Sequence, residues 1–116
     1  MKKISIILSI VIVGALFSSA SLLKTQLQVT VFDDIHNFQE GAVVKLYLTQ
    51  KDYDADKPVM DAQKTDKKGR TKFVGLEPVN YFILVKKGNK DNVLNGERTG
   101  ELVEGKINKV NIEISE

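Results

Sequence analysis

Few side chains in this sequence could do chemistry, and their spacing limits what they could do. His36 is the only histidine among 116 residues, and there is no cysteine. A multi-histidine metal site and a cysteine nucleophile are therefore excluded. No serine sits in a G-x-S-x-G elbow, and the serines after the first twenty residues, Ser21 and Ser115, lie at the chain ends. His36 lies in a turn beside Asp33 and Asp34 and reads as an exposed loop histidine. No catalytic or cofactor-binding residue is assigned.

Two oxygen-rich stretches remain. "DYDAD" sets Asp52, Asp54 and Asp56 at alternate positions, the opening of a calcium-loop spacing. An EF-hand would continue with a glycine at position 57 and a glutamate at position 63. The chain has Lys57 and Gln63, so these three are weak metal candidates beside the plainer reading of a solvated acidic loop. "NKDNVLNGE" offers Asn89, Asp91, Asn92 and Asn95 as polar contacts for a ligand or partner. Tyr47 and Tyr53 are the tyrosines expected at the surface. With no tryptophan, the rings on which a sugar could stack are few.

These groups must be positioned by a small exported domain. "MKK", the uncharged apolar run "ISIILSIVIVGALF" and the small residues of "SSA" follow the order of a secretory signal, with cleavage expected after Ala20. The apolar core is shorter than the roughly 20 residues a spanning helix wants; a retained N-terminal anchor is the alternative. Without cysteine, a bacterial lipoprotein anchor is excluded. Residues 21–116 are then one domain without disulfides. Losing Lys2 and Lys3 leaves 15 Lys+Arg against 15 Asp+Glu. With that neutrality and no heavily basic face expected, nothing points to a nucleic-acid partner, and nothing holds the cleaved chain to a membrane.

The rest alternates with period two. Leu27, Val29 and Val31 share one face of a strand over 26–32, and Ala42, Val44, Leu46 and Leu48 one face of 42–49. Further strands are expected over 59–65, 70–76, 80–87, 101–103 and 106–115, with no amphipathic helix. Gly69 supplies the turn of "DKKG", Pro78 breaks the chain between two strands, and Ile107 is out of phase with Val110, Ile112 and Ile114. The pattern predicts an all-β, antiparallel, seven-stranded β-sandwich. Its expected core includes Val29, Val44, Leu46, Phe73, Tyr81, Ile83, Val85 and Ile112.

"LQVTVFDDIHNFQEGAVVKLYLT" and "TDKKGRTKFVGLEPVNYFILVKKG" resemble the carboxypeptidase regulatory-like domain, a transthyretin-like sandwich of the starch-binding-like group. Gly41, Ala42, Val44 and Leu46 fit its first half; Thr65, Asp66, Gly69, Phe73, Leu76, Pro78, Tyr81, Ile83 and Val85 fit its second. The chain departs at Val79-Asn80, where the family has a glycine after the proline, and in "DDIHNF", where Asn37 is expected to take the left-handed turn position. The resemblance implies a small exported protein of the kind typical of Bacteroidetes. It implies a non-catalytic binding or accessory module, periplasmic or extracellular in the cell envelope, with a carbohydrate among its candidate ligands. The alternative is a structural or protein-interaction component of the envelope with no small-molecule ligand. The partner is an envelope protein or a glycan. Adhesin B-type sandwiches form Lys–Asn isopeptide bonds with the help of a glutamate at the position of Val85; Lys24 and Asn111 occupy end strands here, but the carboxyl is missing. A transthyretin-like hydrolase of cyclic ureides would need several histidines and arginines, against one and two here.

Overall fold

A computed structural model describes residues 24–116. The expected signal segment, residues 1–20, and its cleavage point lie outside the described residues. The described chain runs β1 (Thr25–Asp33), β2 (Val43–Tyr47), α1 (Gln50–Asp54), β3 (Gln63–Lys64), β4 (Arg70–Leu76), β5 (Asn80–Lys87), β6 (Lys90–Asp91), β7 (Arg98–Glu101) and β8 (Ile107–Ile114). One sheet has the order β4-β1-β8 and the other β3-β2-β5-β6, with β7 also paired to β5.

Alternation builds the layers. Buried and half-buried residues alternate along the whole of β1. Leu27, Val29, Val31, Phe73, Ile112 and Ile114 of one sheet meet Val44, Leu46, Tyr81, Ile83 and Val85 of the other in one apolar cluster. All eight residues expected in the core are buried there. Ile107 points outward and is exposed, and Leu48, expected on the inner face, lies past the end of β2 at Tyr47 and is exposed as well.

Several expectations change. Eight strands appear among the described residues rather than seven, because the chain doubles back after Gly88-Asn89 and adds β6 to the end of β5. The sandwich is also not wholly antiparallel: β1 and β8 are parallel over eight residue pairs, from Gln26–Ile107 to Asp33–Ile114. The crossing between sheets explains this. Leu102 N–H donates to Val79 O, and Gly105 N–H donates to Thr25 Oγ1, so the chain re-enters the first sheet at the end where β1 starts. The expected strand over 59–65 shrinks to Gln63–Lys64, and that over 101–103 moves back to Arg98–Glu101.

Turn chemistry sets the register. Gly69 has φ 72°, and a Cβ there would lie 2.5 Å from Val31 O. Gly75, at φ 80°, is the extra residue of a bulge where Thr25 pairs with Leu76 but Gln26 with Val74. In the first turn His36, not Asn37, takes the left-handed conformation, with φ 65°. The reason is Asp33, whose Oδ1 accepts from the N–H groups of both Ile35 and Asn37 and so places residue 36 at the corner.

Candidate functional site

One groove lies on the outer face of the larger sheet, beneath α1. Thr49 caps this helix, its Oγ1 accepting from Asp52 N–H at 3.1 Å. The turn lowers Tyr53 onto the sheet, edge-on to Tyr47 at 5.2 Å and near Phe82 at 6.2 Å between ring centroids. Arg98 stacks on Phe82, 4.7 Å from its centroid. Val43 and Leu84 line the floor, and Lys45, Lys86 and Asp56 line the rim of a groove of about 380 Å3.

Three polar groups of this groove are tied together. Tyr47 OH donates to Asp56 Oδ1 at 2.6 Å, and Lys45 Nζ lies 3.2 Å from the same oxygen. The Tyr47 hydroxyl, then Lys45, holds the Asp56 carboxyl below the usual carboxylate range. Burial, then Asp56, pushes the Tyr47 phenol well above its ordinary value. Tyr53 is pushed up to about 12, first by burial and then by Glu97. At neutral pH the groove therefore holds a fixed carboxylate and two neutral phenols, a poor arrangement for proton transfer.

Tyr47 is fully buried and Tyr53 half-buried, so neither is the exposed stacking platform expected of it. The signal for this was Thr49 three residues before Asp52, a capping pattern too short to carry helical periodicity. The same helix disperses the acidic triplet. Asp52 and Asp54 are two residues apart on a helix, about 200° around its axis. Asp54 accepts from Gln50 Nε2 at 3.0 Å, while Asp56 turns back to Tyr47. Among the described residues no three histidine, aspartate or glutamate side chains converge as a cation cage.

The asparagine-rich loop is mostly committed to structure. Asn92 is fully buried. Its Oδ1 accepts from Val85 N–H at 2.9 Å, and its Nδ2 donates to Ile83 O at 2.9 Å and Gly96 O at 2.8 Å. The side chain thus replaces a strand residue between β6 and β7. Asp91 exchanges backbone hydrogen bonds with Ser115, and its carboxylate accepts from Val93 N–H. Asn95 Nδ2 donates to Glu113 O and Ser115 Oγ, tying the loop to the end of β8. Asn89 stays exposed at the β5–β6 turn. The isopeptide geometry is absent too: Asn111 pairs with Thr30, six residues and roughly 20 Å along β1 from Lys24. Val85 fills the core position of the missing acid.

No family model matches the chain, and no curated protein matches it. Among solved structures, a streptococcal ancillary pilin aligns with a TM-score of 0.60 at 18% identity, over 80% of this chain and 32% of its own. BcpA, the major pilin subunit of Bacillus cereus, aligns at 0.52 and 16% identity, over 79% of this chain and 30% of its own. The chain spans about a third of each pilin's length. At these identities the likeness shows a shared β-sandwich fold.

Proposed function

We propose that this chain is an exported, non-catalytic structural and accessory module of the cell envelope. The observation that carries the reading is the likeness of 80% of the chain to part of an ancillary pilin. The groove under α1 supports it, because the Tyr47 phenol is tied to Asp56 and its ring is fully buried, so it offers no face to a sugar. The cadence over residues 26–88 supports a distant kinship with carboxypeptidase regulatory-like domains. The first twenty residues act as a cleaved signal, and the partner is another envelope component.

The absence of cysteine makes a direct test available. Leu94 is 88% exposed, so Leu94→Cys places one reactive thiol on the surface. Intact cells treated with a maleimide that cannot cross the inner membrane should label it, on a chain whose mass lacks residues 1–20. Labelling only after lysis, on full-length protein, would reject export and with it this function.

A further inference from the structure

The outer face of the smaller sheet carries charge that the protein itself does not neutralise. The pairing of β4, β1 and β8 sets its outward residues in rows: Val74–Gln26–Ile107, then Lys72–Gln28–Lys109, then Arg70–Thr30–Asn111. Arg70, Lys72 and Lys109 are all exposed. The ion pairs among the described residues are Lys45–Asp56 and Lys90–Asp33, so none of these three cations has a carboxylate within ion-pair distance. Asp66, on the turn before Arg70, directs its carboxylate to the backbone N–H groups of Lys68 and Arg70. Glu113 is the one acidic side chain in the outward rows of β8.

At one end the face deepens into a cleft of about 370 Å3 lined by Thr30, Phe32, His36, Phe38, Arg70 and Asn111. The loop that forms its wall is fixed from beneath. Asp33 is buried, and its carboxylate holds Ile35 N–H, Asn37 N–H and Gln39 Nε2. Gly69 packs against the same loop, within 3.2 Å of Phe38 Cβ for an added Cβ. Phe38 is nevertheless 60% exposed. Two phenyl rings, an imidazole, a guanidinium, an amide and a hydroxyl thus line one cleft, and two further cations stand roughly 7 Å along the strands.

We propose that this face binds an acidic polysaccharide, with a uronate carboxylate on Arg70 and its ring against Phe38. The next carboxylate along the polymer reaches the row of Lys72 and Lys109, and Gln28, Thr30 and Asn111 meet the sugar hydroxyls. Planar bidentate recognition of a carboxylate suits arginine. The centre of the face is polar and rich in donors, unlike the apolar core of a protein interface. This site is separate from the groove under α1, and its failure would leave the envelope reading standing.

Affinity electrophoresis and calorimetry of the purified protein with polygalacturonate test the proposal, with dextran and polyglutamate as comparisons. Polygalacturonate should bind, and dextran should not. Arg70→Gln and Lys109→Gln should each weaken binding about tenfold, the loss of one charge-assisted contact. Phe38→Ser should weaken it too, while Lys45→Gln, in the other groove, should change nothing. All four positions are exposed or half-exposed, and unchanged melting would show that each variant folds. Polyglutamate binding as tight as polygalacturonate, with Phe38→Ser silent, would overturn the proposal in favour of an acidic protein partner. No binding to polygalacturonate, or equal loss in Lys45→Gln and Arg70→Gln, would reject the site.

Discussion

Asn92 shows how one side chain can stand in for a stretch of strand. Its amide satisfies Val85 N–H and Ile83 O on β5, where neither β6 nor β7 reaches. Asn92→Leu keeps the volume but strands these buried backbone groups, at about 1–3 kcal/mol each. Chemical unfolding should therefore show a loss of about 3 kcal/mol or more; a loss under about 1 kcal/mol would mean the amide is not structural. Two sets of groups link stability to pH. Hydrogen bonds from Asn37 N–H, with lesser help from Ile35 N–H and Lys90, hold Asp33 below the usual carboxylate range. The unfolded chain then binds a proton at Asp33 more readily than the folded one. Its contribution is complete above about pH 4 and fades as pH falls through the lower folded value. Asp33→Asn should flatten that part of the acid unfolding curve. Tyr53 has the opposite sign, its folded value of about 12 standing above the ordinary 10.0. Its contribution is complete below pH 10 and is lost as pH rises toward 12, so Tyr53→Phe should flatten the alkaline limb.

At the scale of elements, β4 and the turn before it carry the register. Phe73 is fully buried opposite Leu27, and Phe73→Ala should cost roughly 3–5 kcal/mol. Gly69→Ala meets Val31 O and a left-handed φ together, and should cost about 2 kcal/mol or more. Unchanged melting in either variant would contradict the pairing of β1 with β4. These strands were legible in the sequence because period-two alternation reports burial directly, and glycine and proline mark where it stops. The parallel pairing of β8 was not, since alternation is the same in either direction and the crossing at Leu102–Lys106 has no period. Helix α1 was not legible either: five residues are too few to show a repeat. Missing it turned Tyr47 from a buried brace into an expected surface ring. The cleft at Phe38 escaped for a related reason, as Asp33 marks a turn but not what the turn displays. Because α1 separates Asp52, Asp54 and Asp56, millimolar calcium against chelator should move the melting midpoint by under about 2 °C, as screening of exposed charges would. A larger rise, abolished by Asp54→Asn, would make residues 50–58 a metal-ordered loop.

At the scale of the molecule, the first and last strands of the described residues, β1 and β8, lie side by side and parallel. The start of β1 and the end of β8 therefore stand at opposite ends of the strand pair, roughly 25 Å apart. Tension applied at Lys24 and Glu116 would shear the β1–β8 ladder with all its hydrogen bonds sharing the load. The β1–β4 pair is antiparallel, with Thr25 beside Leu76, so tension applied at those two positions opens the ladder one bond at a time. The proposed role as a structural module would gain from the first geometry. Single-molecule force spectroscopy on the cysteine-free chain compares them directly, with thiol handles at Lys24 and Glu116 in one variant and at Lys24 and Glu77 in the other. The unfolding force through 24 and 116 should be clearly higher than through 24 and 77. An equal or lower force through 24 and 116 would contradict the parallel closure of the sandwich and the structural role built on it.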